Sequence, residues 1–188
     1  MDVTVVLYPQ NYTKAVVMKK KLPVSQIDRA LRNLFTVRMR LGLFNGRSIT
    51  VLSAVQSYVK NTVYNQGCNA VKCTSASISE AVNIAKKADY VILLMGLDQN
   101  EEREDFDRVD LVLPGLQQSL ITSVAKATKK PVILVLLCGG PVDVSLAKYN
   151  PKIRGILWVG YPGEAGGTAL AEIIFGDHNP GKCNTILC

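Results

Sequence analysis

Tyr90-Val91-Ile92-Leu93-Leu94-Met95 is an unbroken apolar run that opens into Gly96-Leu97-Asp98-Gln99-Asn100-Glu101-Glu102-Arg103-Glu104-Asp105-Phe106-Asp107-Arg108. A short apolar run stopped by glycine reads as a buried strand. The pattern returns at Pro131 to Cys138 and at Ile153 to Gly160. Around these runs lie amphipathic stretches: Ile78 to Ala88, Leu116 to Thr128, the shorter Val142 to Lys148, and Glu164 to Phe175. Buried strands alternating with helices predict an α/β fold, with a mainly parallel sheet and helices on both faces.

Upstream, Thr50 to Lys60 reads as a helix and Thr62-Val63-Tyr64 as a short strand. Lys14 to Leu41 has helical periodicity, with Ile27, Ala30, Leu31, Leu34, Phe35 and Leu41 largely on one face. Ser25 can cap this helix with Asp28 three residues on. Leu22-Pro23 separates it from a shorter helical stretch before it, and Gly42 and Asn45-Gly46 stop it. These elements are too few to form a core alone. Residues 1–46 are therefore expected to be a mostly helical appendage, residues 47–181 the α/β domain and residues 182–188 a divergent tail.

With 188 residues, 48% of them hydrophobic and 20% charged, the chain can build one core with an appendage. No run approaches the roughly 18 to 20 apolar residues needed to cross a bilayer, so no membrane partner is expected. Met1 to Pro9 carries Asp2 and ends its short apolar stretch at a proline, which does not make a signal peptide. The net charge of +7 is uneven: residues 1–60 hold ten Lys or Arg against Asp2 and Asp28, while residues 61–188 hold twelve against thirteen acids. Lys19-Lys20-Lys21 has only Tyr8 and Tyr12 nearby for stacking, without a zinc-finger or RNP pattern. Solvated helix surface is the better reading, and no nucleic-acid partner is expected.

Cys68 and Cys73 lie in the polar segment Asn65 to Ser77. Metal binding would need more ligands near them, and the only histidine is His178. They form a local disulfide in an oxidising compartment or stay as two thiols otherwise. Cys138 ends an apolar run and belongs to the core; Cys183 and Cys188 sit in the tail with no assigned role.

Six carboxylates fall within the eleven positions 98–108. Crowded acids at a strand's end can keep one carboxyl group protonated, whereas a solvated acidic loop is the plain alternative. Three strands end in glycine-bearing loops: Gly96-Leu97-Asp98, Cys138-Gly139-Gly140-Pro141 and Gly160-Tyr161-Pro162-Gly163. In a parallel sheet these share the edge where ligands bind. Neither later loop matches a phosphate-binding glycine pattern, and the spacing of a calcium-binding EF-hand is absent. His178 follows Gly176-Asp177 in a turn and reads as surface rather than as part of a serine triad. No cofactor and no metal are expected.

Taken together, Gly96 to Gly115 (GLDQNEEREDFDRVDLVLPG), Lys130 to Val144 (KPVILVLLCGGPVDV) and Ile156 to Pro180 (ILWVGYPGEAGGTALAEIIFGDHNP) resemble the carboxyl-terminal α/β-sandwich domain of family 3 glycoside hydrolases. The nearest group is the plant β-xylosidase and α-arabinofuranosidase branch, and the match runs from about Leu52 to Pro180. Residues Met1 to Gly46 resemble the last portion of that family's preceding catalytic barrel domain. The resemblance implies a retaining mechanism, with a barrel aspartate as nucleophile and a glutamate of the sandwich domain as general acid, then base. The family pattern of Glu, two residues, Asp-Arg places that role on Glu104, with Glu102 as second choice. Asp98, Asp107 and Arg108 would support the site, and Asp107 can pair with Arg108 to hold the loop. Gly139, Gly140, Gly160, Tyr161, Gly163 and Glu164 would form the substrate-binding edge, for xylose- or arabinose-containing oligosaccharides or polysaccharides of cell-wall xylan or arabinan.

The sequence also departs from the family pattern. The family's nucleophile sits in a Ser-Asp motif, and this chain has no Ser-Asp dipeptide. Its first residues are expected to begin downstream of the late barrel strand that carries this motif in the family, and near Gly46 to Ser48 the interdomain linker and opening elements of the sandwich are expected to be missing. After Asn179-Pro180-Gly181, Lys182 to Cys188 stands where a further Gly-Arg-Leu-Pro stretch and a third domain would follow. Little hydrolysis by this chain alone is therefore expected. A non-catalytic domain that binds sugar or an intact homologue, and an unstable truncated product, are the alternatives. The family implies an extracellular, cell-wall location, and Asn11-Tyr12-Thr13 is a glycosylation acceptor sequence; the amino terminus by itself implies retention in the cytosol.

Overall fold

The computed structural model of the chain describes residues 23–40, 49–106 and 108–179. The contacts divide the chain into two units, Met1–Arg47 and Ser48–Cys188. In the first, helix α1 (Val24–Arg40) is the described element. It starts at Val24, with the Gln26 N–H on the Pro23 carbonyl at 3.0 Å. Ser25 thus lies inside the first turn instead of capping it, because Pro23, with its fixed φ, already sets the entry. Leu31, expected on an apolar face, is exposed. The shorter helical stretch before Leu22 and the stop at Gly42 and Asn45-Gly46 lie outside the described residues, as do Asn11, Lys19 to Lys21, Cys183 and Cys188.

The second unit is built on three strands, β1 (Val91–Gly96), β2 (Val132–Leu137) and β3 (Ile153–Trp158). All run parallel in the order β1-β2-β3, with Val91 opposite Val132 through to Gly96 opposite Leu137. The β2–β3 register shifts between Val132 and Ile133, so that Ile133 meets Gly155. Among the described residues five helices accompany the sheet: α2 (Val51–Tyr58), α3 (Ile78–Ala85), α4 (Gln117–Ala127), α5 (Ser145–Lys148) and α6 (Gly166–Phe175). The Thr50 hydroxyl caps α2 by accepting the Ser53 N–H at 3.1 Å. Gly176, at φ +88, ends α6 and lets the Asp177 N–H return to the Glu172 carbonyl at 2.8 Å.

Period-two alternation places Val132, Leu134 and Leu136 of β2 on one face, where they join Leu93 of β1 and Leu120, Ile121, Val124 and Ala125 of α4. A leucine as buried as Leu120 contributes about 1.5–3 kcal/mol of transfer free energy. Val135, pointing the other way, is fully buried outside that cluster, and Ala54 and Val55 of α2 and Leu170 and Ala171 of α6 are buried outside it too. The fold is the expected α/β arrangement. Thr62-Val63-Tyr64 is a correction: it is not a strand, and Val63 and Tyr64 are 70% and 61% exposed. Strand-forming residues without a neighbouring strand have nothing to pack or pair against.

Cys68 and Cys73 form a disulfide, with their Cα atoms 4.9 Å apart. Cys73 is completely buried, and its carbonyl accepts the Leu116 N–H at 3.0 Å just before α4. Gly115, at φ +56, fits here because a Cβ would stand 2.3 Å from the Lys72 oxygen. The disulfide loop thus seats the Pro114-Gly115 turn that leads into α4. Cys138 is buried with a free thiol. Among the described residues, every buried side-chain nitrogen or oxygen has a hydrogen-bond partner.

Candidate active site

The acidic segment leaves the sheet at Gly96, where the chain must turn away from β2. Gly96 has φ +147, and a Cβ would come 2.0 Å from the Leu137 oxygen, so only glycine fits. The Leu97 N–H then donates to that same oxygen at 2.8 Å. On its other side β1, an edge strand among the described residues, meets no further described strand. The buried side chain of Gln117 takes that place: its Oε1 accepts the Gly96 N–H at 3.0 Å, and its Nε2 donates to the carbonyls of Gly96 at 2.8 Å and Val71 at 2.7 Å. Sequence reading missed this residue. The signal was present, since Gln117, Leu120, Ile121 and Val124 share one stripe of α4 and a polar residue stands at its first position.

Beyond Gly96 the chain makes one tight turn. The Asp98 carbonyl accepts the N–H groups of Glu101 at 3.0 Å and Glu102 at 2.9 Å, while its carboxylate accepts the Asn100 N–H at 2.8 Å. Asp98 therefore shapes the root of the loop. Arg103 and Phe106 then pair across a second turn, with Glu104 and Asp105 at its tip and Asp105 at φ +64. The Arg103 guanidinium lies 5.2 Å above the Phe106 ring. Glu104 is exposed at this tip.

Glu102 is placed differently. One oxygen of its carboxylate accepts the Gly139 N–H at 2.6 Å and the Tyr161 hydroxyl; the other accepts the Gly140 N–H at 3.0 Å. The three strand-end loops therefore meet at one carboxylate. Partial burial works to raise the Glu102 pKa, but the hydrogen bonds from Tyr161, Gly139 and Gly140, with the charge of Arg108, outweigh it and hold the carboxyl below its usual range. This reverses, at Glu102, the expectation that crowding favours a protonated acid. Burial, and next the Glu102 carboxylate, push the Tyr161 hydroxyl up. Burial likewise pushes the Cys138 thiol up.

Arg108 closes the other end of the loop. Its Nη1 reaches Glu101 Oε2 at 3.4 Å, its Nη2 the Val112 carbonyl at 2.6 Å and its Nε the Asp110 carbonyl at 3.1 Å. Asp107, proposed as its partner, lies outside the described residues; the carboxylate seen on Arg108 is that of Glu101. Of the residues assigned to the substrate edge, Gly139 and Gly140 have their N–H groups turned to Glu102. Gly160 has φ +61, Gly163 faces open space, and Glu164 is half-buried. Tyr161 keeps an exposed ring while its hydroxyl is engaged. His178 is at the surface, with Nδ1 3.3 Å from Glu172 Oε2.

A sequence model described as the glycosyl hydrolase family 3 C-terminal domain matches residues 12–185. The chain is 46% identical over 255 aligned positions to probable beta-D-xylosidase 7 of Arabidopsis thaliana, covering 96% of this chain and 33% of that protein. It is 43% identical to beta-xylosidase/alpha-L-arabinofuranosidase 1 of Medicago sativa subsp. varia, over 86% of this chain and 22% of that one. Among solved structures, a GH3 exo-beta-xylosidase in complex with a xylobiose aziridine probe matches 69% of this chain and 17% of its own, at 36% identity and a TM-score of 0.65. This chain spans about a third or less of the length of these relatives. The 255 aligned positions also exceed its 188 residues, so the Arabidopsis protein carries residues between matched segments that this chain lacks.

Proposed function

The chain belongs to glycosyl hydrolase family 3, and from that premise we propose that it carries the general acid/base half of a retaining glycosidase site for xylose- or arabinose-bearing chains. The observation that carries this reading is the placement of Glu104. It stands exposed at the tip of a turn whose root is tied to the ends of all three strands, where a sugar's glycosidic oxygen can reach it. In the first step its carboxylic acid gives a proton to the departing oxygen while a nucleophilic carboxylate forms the glycosyl ester. In the second, the carboxylate takes a proton from the water that breaks that ester. The names of the xylosidase relatives support pentose-bearing substrates.

The nucleophile is the half that residues 1–188 do not supply, since no Ser-Asp motif occurs among them. We therefore propose little hydrolysis by this chain alone, because losing a catalytic nucleophile removes orders of magnitude in rate. The test is release of nitrophenol from an aryl β-xyloside and an aryl α-arabinofuranoside by the purified chain and by Glu104→Gln. Background rates for both proteins are expected. Turnover abolished by Glu104→Gln would overturn the inactivity while supporting the role of Glu104, and turnover indifferent to it would overturn that role.

Retention of all three strand-end loops supports a second reading, sugar binding without cleavage. A saturable signal on titration with xylo-oligosaccharide supports it, and a flat titration refutes it. The Cys68–Cys73 disulfide supports passage through an oxidising compartment, in keeping with a cell-wall location.

A further inference from the structure

We infer that Glu102 is a positioning residue whose carboxylate fastens the turn bearing Glu104 to the ends of β2 and β3. The inference rests on the reading of Glu104 as the acid/base, and gives its neighbour a different task. An ionised carboxylate only accepts hydrogen bonds, and Glu102 is met by three donors: the N–H groups of Gly139 and Gly140 and the hydroxyl of Tyr161. Protonation would set its own O–H against one of them. A group so held is poorly suited to give up a proton and well suited to stay charged.

The surrounding backbone is shaped to this carboxylate. A Cβ on Gly140 would lie 2.9 Å from Glu102 Oε2, and one on Gly139 would lie 3.3 Å from Oε1 and 3.1 Å from the Tyr161 ring. Glycine at both positions thus lets the carboxylate sit on bare backbone, which is a different use from contacting sugar. Glu102 also stands at the junction of two turns. Its N–H closes the first onto Asp98, and the Arg103–Phe106 turn starts one residue later. Arg108 anchors the far side through Glu101, Asp110 and Val112. Without Glu102, the near side of the Glu104 turn would lose its tie to the ends of β2 and β3 and keep only contacts within its own segment, to Asp98, to the Gln99 carbonyl and to Arg108. The titratable and charged groups facing Glu102 are Tyr161, Cys138 and Arg108.

The experiment is NMR on the full 15N-labelled chain. The Gly139 and Gly140 amide resonances should titrate together, with a midpoint below that of an ordinary glutamate, and Glu102→Gln should abolish that titration. In Glu102→Ala, hydrogen exchange at the Phe106 amide, which bonds to the Arg103 carbonyl at 3.0 Å, should quicken at least about tenfold while β2 amides hold their parent rates; all three hydrogen bonds are lost together, and one net hydrogen bond is already on the order of five- to tenfold. Tyr161→Phe should raise the glycine midpoint and give a smaller rise in exchange. Glu104→Gln should change neither reading. Glycine amides that ignore pH through the carboxylate range overturn the inference. So does parent-like exchange at Phe106 in both Glu102→Gln and Glu102→Ala, or in Glu102→Gln and Tyr161→Phe should Glu102→Ala not fold. None of these readings needs turnover, so a failure of the Glu104 assignment, seen in hydrolysis, is separable from a failure here.

Discussion

Replacing Gln117 by leucine isolates the hydrogen bonds that hold the end of β1. The side chain's size is nearly kept, so no large cavity opens. What is lost is a partner for the Gly96 N–H, the Gly96 carbonyl and the Val71 carbonyl. The two bonds to Gly96 are buried, and a buried polar group left unpaired costs about 1–3 kcal/mol. The variant should therefore lose roughly 2–6 kcal/mol, a large part of the about 5–15 kcal/mol that stabilises a typical domain. At about 2–4 °C per kcal/mol for a domain of this size, Tm should fall by roughly 5–20 °C. Urea denaturation should show a lower midpoint with an unchanged m-value. Gln117→Glu is the companion. It keeps the acceptor for Gly96 but points a carboxylate at two carbonyls, which raises its folded pKa above the unfolded one. The protonated acid still donates, so its stability should be present at low pH and lost as pH rises through that raised pKa. A Gln117→Leu protein that unfolds at the parent's midpoint would refute the reasoning.

Gly96→Ala should be the most damaging single change at the strand edge, since its Cβ would meet rigid backbone 2.0 Å away at a φ that L residues avoid; little soluble, cooperatively melting protein should be recovered. Gly140→Ala meets only the movable Glu102 carboxylate, 2.9 Å away; it should cost about 1 kcal/mol by thermal melting, the loss of one hydrogen bond. Replacing Cys68 and Cys73 by serine opens a small loop, and chain entropy alone predicts a loss of about 2 kcal/mol, measurable as a lower urea midpoint. The depressed pKa of Glu102 makes its stabilisation fully present above the unfolded-state value and lost as pH falls through the folded one. Glu102→Gln should flatten that acid limb of the stability curve; an unchanged acid limb would show that the carboxylate contributes nothing there.

The core was readable because the three apolar runs and the stripe of α4 carry their periodicity in consecutive residues. Val132, Leu134 and Leu136 are buried in a continuous apolar run, which marks the strand in the sequence but not which face each residue takes. Thr62-Val63-Tyr64 has the same strand-forming composition and became irregular chain, since a strand exists only with a partner and nothing local reports one. Ser25 was misplaced as a cap for a related reason. Capping residues and prolines compete to define the same helix start, and at Pro23 the proline won.

The meeting of the three strand-end loops was legible in the sequence, and the electrostatics at their junction was not. Glycine after each apolar run fixed the edge of the sheet, and the pattern of acids fixed the loop. Apart from the family pattern of Glu, two residues, Asp-Arg, nothing in the order of residues separates Glu102 from Glu104, because their environments differ through donors that lie 37, 38 and 59 residues away. Crowding by like charge predicts a carboxyl that holds its proton, whereas three donors predict one that sheds it. The donors win at Glu102: together with the charge of Arg108 they outweigh the partial burial that works to raise its pKa. Two carboxylates two residues apart thus occupy contrasting environments, one fixed and charged against backbone amides, the other exposed at a turn tip. Under the role proposed for Glu104, an acid/base that must cycle between protonation states has to be a carboxylate free of the contacts that hold Glu102 charged.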